Sequence, residues 1–426
     1  MATIVEKIIG TGGDYTTLQA WEDACPANLV TSDQVWRGKV KNQVFSSTGT
    51  LLTISGTTVD STRYTELTTD TGASFLDNAN VRTNALRYNE SNGACIKITG
   101  TWTCSVYVDQ NYTRISRLQF AGTDATSGAK AALSLGGGAG AQYCDINQCI
   151  FEGYTPAGAG SGCGVLSVYG NGNTVRNSLI VQKTTVTSAL IAQLSYSTSA
   201  YNCTFVSLGA TLTVGIYGIY GTGSIHNCYI GGVSAPKSGS SSPTVTTSHT
   251  NATASGYTTT AFSTATFENI TIGTHDLRLK SGSGLIDVGT TDATYAASDI
   301  SGLARSGTYD VGAWEVSSSS STSVTVSNVS QTNAVTGSAI YQAVAGTLTT
   351  APLKNNAGTL LANETGATAY IHDMTTGALI VAKTGQTTNS SGVMTVVDAA
   401  ITPAAQYRIV VKLASAAEGL DKLTAT

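Results

Sequence analysis

The sequence predicts an all-β chain: a right-handed parallel β-helix with a short N-terminal capping helix, followed by a small β-sandwich. Three observations carry this prediction. A strand-like segment recurs at near-constant spacing, the composition suits strands and tight turns, and the chain changes character after residue 316.

Only 11% of the 426 residues are charged, where an ordinary globular domain carries about 25%. Glycine is abundant, at 46, and hydrophobic residues make up 41%, too many for a disordered chain. The surface is therefore expected to present hydroxyls and amides, with Thr and Val favouring strands and Gly and Ser favouring turns. The net charge of −4 comes without any Lys/Arg cluster. No basic face is on offer to neutralise phosphates, so nucleic acid is set aside as a partner. No apolar run approaches the roughly 20 residues of a membrane span, so membrane insertion is not expected either.

Residues 1–30 read as a cap. Thr16-Thr-Leu-Gln19 has the form of a capping box, Leu18, Trp21 and Ala24 share one helical face, and Pro26 stops the helix. An open β-helix end exposes strand edges and apolar core, and a short helix can cover both. The glycine-rich stretch at residues 10–15 reads as a turn, since a phosphate loop needs a preceding strand and a longer motif.

Residues 31–316 read as the β-helix. Five segments align without gaps: Asp145 to Ile150, Val175 to Ile180, Ala200 to Phe205, Ile225 to Ile230 and Phe267 to Ile272. Each has Asn at its third place, giving Asn147, Asn177, Asn202, Asn227 and Asn269. A weaker member, Ile115 to Phe120, carries Arg117 in that slot. The most regular spacing, from Asn177 to Asn202 to Asn227, suits one coil of short strands joined by tight turns. Stacked at about 4.8 Å, such coils place equivalent residues above one another. Ile150, Ile180, Phe205, Ile230 and Ile272 would form an interior ladder. The asparagines would stack at a turn whose left-handed backbone Asn tolerates. The long gap before Asn269 is expected to hold a loop insertion at residues 234–265, rich in Ser, Thr, Gly and Pro.

Beyond it come Ser-Gly-Ser-Gly-Leu-Ile-Asp-Val-Gly (281–289), Asp-Ile-Ser-Gly-Leu-Ala-Arg (299–305) and Tyr-Asp-Val-Gly-Ala-Trp-Glu (309–315). Here the chain resembles the parallel β-helix repeat proteins of the pectate-lyase-like superfold, of the type carried on bacteriophage virions. Their last coil often reads IDxG…DIxGxxR…YDxGAxE. The resemblance covers residues 1 to about 315 and implies that residues 281–315 close the helix. It implies no particular reaction, because the fold serves lyases, hydrolases, adhesins and phage spikes alike.

Residues 317–323 are a Ser-rich linker. Residues 324–426 contain no cysteine and show period-two alternation: Tyr407, Ile409, Val411 and Leu413 against Gln406, Arg408 and Lys412. Turn signals fall at Asn355-Asn-Ala-Gly, Thr376-Gly and Asn389-Ser-Ser-Gly. This segment resembles an immunoglobulin-like or carboxypeptidase-regulatory-type sandwich, a module common on phage structural proteins.

Chemistry is sparse. The acids of the coil region are Asp109, Asp124, Asp145 and Glu152, with few more before Glu268. A glycoside-cleaving pair needs two carboxylates about 5 to 9 Å apart, and a catalytic site would have to rest on Asp145 and Glu152, which flank one strand. Nothing acidic recurs at the Asp145 position, where the aligned segments have Val175, Ala200 and Ile225. Asp287, Asp299, Asp310 and Glu315 are expected to cap turns and pair with Arg305. The four histidines are scattered, and no CxxC pair occurs, so no metal or cofactor is expected. Several of the eight cysteines replace apolar residues in strand-like runs and read as free buried thiols. Tyr217, Tyr220 and Tyr229 read as packing or interface residues, with sugar stacking as the other use.

These features point away from an enzyme and toward a bacteriophage virion structural protein, a capsid decoration, cement or knob protein at the virion surface. Its expected partners are its own copies in a homotrimer, capsid or tail proteins, and host glycan. The start MATIVEKIIGTGG lacks the marks of a signal peptide, so release by cell lysis is the expected route outside. Two alternatives stand beside this reading: a tailspike or tail fibre that binds or cleaves host polysaccharide, and a secreted bacterial adhesin.

Overall fold

The computed structural model describes residues 2–77, 82–99, 104–122, 131–136, 141–155, 164–219, 223–238, 243–316, 340–342, 347–349, 362–363, 365–373, 379–398 and 406–412. The chain divides into two compact units, Met1–Val316 and Ser317–Thr426. The Ser-rich linker, Cys163, Tyr220 and the turn signals at 355–358 and 376–377 lie outside the described residues.

The first unit is a right-handed parallel β-helix of three sheets. Sheet 1 has nine strands, from Thr3–Ile9 through Arg114–Ser116, Asp145–Asn147, Thr174–Arg176 and Ser199–Tyr201 to Thr244–Thr246. Sheet 2 has seven, from Leu52–Ser55 to Lys237–Ser238, and sheet 3 nine, from Val44–Ser47 to Tyr257–Thr259. Each coil visits the sheets in turn, and the neighbouring coil pairs with it in parallel register.

One side chain per coil fills the interior from sheet 3. Phe45, Ile96, Phe120, Phe151, Ile180, Phe205 and Ile230 stack in an unbroken ladder, and the rings of Phe120 and Phe151 lie parallel at 4.9 Å. The register differs from the sequence reading at Phe151, which stacks on Ile180, while Ile150 stacks on Leu179 and faces outward. The same one-residue difference moves the left-handed corner. Its residues are Arg117, Gln148, Asn177, Asn202, Asn227 and Thr247, all with positive φ. Asn147 instead pairs with Arg176 in sheet 1. Each corner N–H donates to the next coil: Arg117 to the Asn147 carbonyl, Gln148 to Arg176, Asn177 to Tyr201, Asn202 to His226 and Asn227 to Thr246.

From Gln148 onward the residue after each corner points inward and is small: Cys149, Ser178, Cys203, Cys228 and Ser248. Cys149 N–H donates to Ser178 Oγ at 3.1 Å, Cys203 N–H to Cys228 Sγ at 3.5 Å and Cys228 N–H to Ser248 Oγ at 3.0 Å. Serine and cysteine fill one column because each supplies an acceptor of the same reach. The seven described cysteines are free thiols, and burial raises Cys144 and Cys149 to about 12.

Helix α1 (Leu18–Asp23) starts one residue later than the capping box implied, with Thr17 Oγ1 accepting from Ala20 N–H at 3.1 Å. It seals the first edge of sheet 2 with side chains: Thr53 N–H donates to Gln19 Oε1 at 2.8 Å and Ser55 N–H to Glu22 Oε1 at 3.0 Å. Trp21 is fully buried against sheet 1 at Gly38, where a Cβ would meet the indole ring at 2.6 Å.

Two expectations are corrected at the other end. Residues 234–265 are not a loop leaving the stack. They supply strands Lys237–Ser238, Thr244–Thr246, Ser248–Thr250 and Tyr257–Thr259, which continue all three sheets. Thr250 stacks on Ile230 and Ser248 accepts from Cys228, so hydroxyl side chains take over apolar slots in this coil. Residues 281–315 do not close the helix. Residues 262–316 form a strap that crosses the outer side of sheet 3. Asn269 and Ile272 belong to it: Asn269 lies in an antiparallel pair with Asp276–Leu279, and Ile272 is half exposed.

The strap buries a second apolar layer: Ile150, Leu179, Val181, Val206 and Tyr229 from sheet 3, against Phe267, Leu277, Leu285, Val311 and Trp314. Sheet 3 is thus apolar on both faces and loses strand alternation. That explains the slip in register, since Ile150 and Phe151 look alike in a sequence but face opposite sides.

In the second unit, strands pair antiparallel in a four-stranded sheet containing Ala367–Asp373, Leu379–Gln386 and Gln406–Lys412, and in a two-stranded sheet containing Thr347–Thr349 and Thr395–Val397.

Candidate functional site

The outer face of sheet 1 carries an alternating charge ladder. Glu6, Arg37, Glu66, Arg114 and Asp145 are register neighbours on five successive strands. Arg37 binds Glu6 and Glu66, each at 2.8 Å, and the Arg37 hydrogen bond holds the Glu6 carboxyl below its ordinary range. Lys39 reaches Asp70 at 3.1 Å, a contact that raises its pKa. Arg114 lies over the Tyr64 ring at 3.6 Å. Beside the ladder, between sheet 1 and residues 70–77, opens a polar cleft of 480 Å³ lined by Lys39, Asp70, Asp77, Arg117, Asn147 and Gln148 among others. Two of its side chains, Arg117 and Gln148, stand at corner positions that Asn177, Asn202 and Asn227 fill in later coils. Gln148 Nε2 donates to the Asp299 carbonyl at 2.7 Å, whereas the exposed Arg117 guanidinium has no partner among the described residues.

The two acids singled out from the sequence lie on different sheets and serve different neighbours. Asp145, on sheet 1, is gripped by Arg176 through Nε at 2.9 Å and Nη2 at 2.7 Å. Such a fork holds a carboxylate in one orientation. Glu152, on sheet 3, is buried under the strap. His275 Nε2 lies 3.1 Å from Glu152 Oε2, and Lys183 Nζ binds Oε1. Burial would raise the Glu152 carboxyl, but the His275 hydrogen bond and the Lys183 charge outweigh it and hold it below the ordinary value. The second ring nitrogen of His275, Nδ1, is buried without a partner among the described residues.

Of the four acids expected to cap turns, Asp299, Asp310 and Glu315 form the strap's buried polar core with Arg305 and Arg82. Asp299 is fully buried and accepts from Arg82 Nη1 at 2.8 Å, Ser301 N–H at 2.9 Å, Leu303 N–H at 2.9 Å and Glu315 N–H at 3.0 Å. Arg305 donates to Glu315 Oε2 at 2.8 Å and to the carbonyls of Asp310 and Gly312. Burial raises Glu315 to about 7 despite that arginine. Asp287 contributes its backbone, donating N–H to Asp310 Oδ1 at 2.8 Å.

Among the remaining candidates, Tyr229 is buried beneath Phe262 and Phe267, a packing role. His226 lies beside Tyr201, which stacks on Tyr295 of the strap at 4.2 Å. Among the described residues no group of three or more His, Cys, Asp or Glu is placed to hold a metal ion, and no helix is long and apolar enough to cross a membrane. Sequence reasoning missed the cleft because its residues come from coils of irregular length. Lys39, Asp70 and Arg117 share no motif and meet only through the strand register.

No family model and no curated protein matches the chain. Among solved structures, the deglycosylated pectin methylesterase from Aspergillus niger is 16% identical with a TM-score of 0.34, the match covering 68% of this chain and 92% of that one. Pectate lyase Pel9A is 12% identical with a TM-score of 0.32, covering 74% of this chain and 97% of that one.

Proposed function

We propose that the chain is a non-enzymatic structural protein of a bacteriophage virion, a decoration or knob protein at the particle surface that assembles with its own copies. One observation carries the non-enzymatic part of the reading. The two acids on which cleavage would have to rest are bound into the architecture, Asp145 by Arg176 and Glu152 between Lys183 and His275 beneath the strap. The low-charge, hydroxyl-rich surface supports broad contact with neighbouring subunits, where charges are depleted. Attachment of this kind stabilises the assembled particle by mass action. Particles lacking the protein are expected to burst at lower temperature, and the purified protein to release no reducing or unsaturated ends from host polysaccharide. Cleavage that disappears in Asp145→Asn or Glu152→Gln would overturn the reading.

A second reading is glycan binding at the sheet 1 cleft, favoured by Arg117, which has no partner among the described residues, beside hydroxyl and amide groups. Loss of host-polysaccharide binding in Arg117→Ala, without cleavage by the parent, would support that reading over simple decoration.

A further inference from the structure

The inward column behind the left-handed corner holds two cysteines at neighbouring rungs. Cys203 follows strand Ser199–Tyr201 and Cys228 follows Ser224–His226, each directly after a corner asparagine. The register is continuous on both sides of them, since Tyr201 pairs with His226 and Thr204 with Tyr229. The Cys203 N–H donates to Cys228 Sγ at 3.5 Å. The two thiols also donate to equivalent carbonyls. Cys203 Sγ reaches Val175 at 3.5 Å and Tyr201 at 3.3 Å, and Cys228 Sγ reaches Ala200 at 3.5 Å and His226 at 3.3 Å. The side chains are therefore copies of one another displaced by one coil, and both are fully buried.

No other two cysteines among the described residues share a column at adjacent rungs. Cys149 meets Ser178, Cys144 meets Asn173, Cys95 stacks between Val44 and Gln119, and Cys104 stacks on Ala131. Cys25 lies beside Thr57. Equivalent residues of stacked strands lie about 4.8 Å apart, within the roughly 4.4 to 6.8 Å between Cα atoms that a disulfide spans. The β-carbons of a disulfide sit closer, at about 3.8 Å, so the two corners must draw together slightly and the bond is strained. A strained disulfide is the more easily reduced. Burial raises the Cys203 thiol, and the Cys228 thiol beside it raises it further, so the pair stays protonated and reacts slowly.

We propose that Cys203 and Cys228 are a redox clasp, a thiol pair that forms a reversible disulfide between two neighbouring coils under oxidising conditions. A peroxide supplies the oxidising equivalents. One thiolate attacks a peroxide oxygen, the O–O bond breaks, and a sulfenic acid and hydroxide form. The second thiolate attacks the sulfenic sulfur, the S–S bond forms and the S–O bond breaks, releasing a second hydroxide. The two thiol protons turn both hydroxides into water, so two thiols are oxidised and one peroxide is reduced. The cross-link restricts the unfolded chain and so favours the folded stack. Thiol-reducing surroundings keep the clasp open and oxidising ones close it. None of this depends on whether the protein sits on a particle.

The test is prolonged incubation of the full chain with hydrogen peroxide, alkylation of the remaining thiols in denaturant, and chymotryptic mapping, which cuts between the two cysteines at Tyr217. A Cys203–Cys228 linked peptide is expected, with the loss of two hydrogens from the intact mass and reversal by dithiothreitol. The oxidised parent should melt a few degrees above the reduced parent. Ser178 and Ser248 already occupy this column, so Cys203→Ser and Cys228→Ser should melt near the reduced parent and show no peroxide-dependent gain. Should a serine variant misfold, the mapping and its reversal in the parent decide alone. Absence of the linked peptide overturns the proposal. So does a link confined to other cysteines or running between chains, an oxidised parent that melts no higher than the reduced one, or the same gain in the serine variants.

Discussion

The coil stack and the strap are held by different chemistry. Inside the coils, each residue meets its own equivalent in the next coil, as in the ladder from Phe45 to Ile230. Apolar contact is non-directional, so hydrophobicity and size suffice at each rung. The strap has no equivalents to stack on. Beyond the apolar layer it shares with sheet 3, its position is set by directional bonds between residues far apart in sequence: Arg82 to Asp299, Glu152 to His275, Thr290 N–H to Asn227 Oδ1, and Ala313 N–H to Thr204 Oγ1. Such a network depends on every member, because a buried polar group that loses its partner retains its full desolvation cost. The stack should therefore tolerate apolar exchange and resist pH, while the strap should tolerate little exchange and respond to pH.

The largest effect is expected from a charge inside the stack. Phe205 is fully buried between Ile180 and Ile230. Phe205→Asp removes a ring and buries an unpaired carboxylate, a loss of more than about 4 kcal/mol. Thermal melting checks this, and a variant that melts within a degree of the parent would mean that the register is wrong. Phe205→Leu at the same rung sharpens the contrast, since it should remain folded.

A smaller effect belongs to the strap alone. Burial holds the Glu315 carboxyl up near 7, above the ordinary 4.5. A raised folded-state pKa means that the native state binds the proton more tightly than the unfolded chain. The stabilisation is thus complete below about 4.5 and is lost as pH rises through about 7. Melting curves of parent and Glu315→Gln across that window should diverge, with the parent losing stability relative to the variant as pH rises. The span is on the order of a few kcal/mol at most. Parallel curves would remove Glu315 from the strap's polar core.

The two regions were also unequally legible from sequence. The ladder from Ile180 through Phe205 to Ile230 was readable because a rigid repeat in space leaves a rigid repeat in the chain. The reading slipped at Asn147, where strap and interior both demand apolar residues and Ile150-Phe151 satisfies either register. The last coil was hidden because Ser248 and Thr250 fill slots that elsewhere are cysteine and isoleucine. The strap was visible as a motif and its Arg305–Glu315 pair was foreseen. Its place across sheet 3 was not, since Asp299 meets Arg82 across more than two hundred residues. The sheet 1 cleft arises only from register, which spacing alone does not supply.

The placement of the strap, and with it the structural role of Glu152, is tested most directly by a double-mutant cycle on Glu152 and His275. Unfolding free energies of the parent, Glu152→Gln, His275→Gln and the double variant give their coupling. If the strap lies on sheet 3 with these side chains 3.1 Å apart, the coupling should reach about 0.5 to 3 kcal/mol, as for residues in one network. Additivity within about 0.3 to 0.5 kcal/mol would mean that the two residues do not meet, and would return Glu152 to the list of acids free for catalysis.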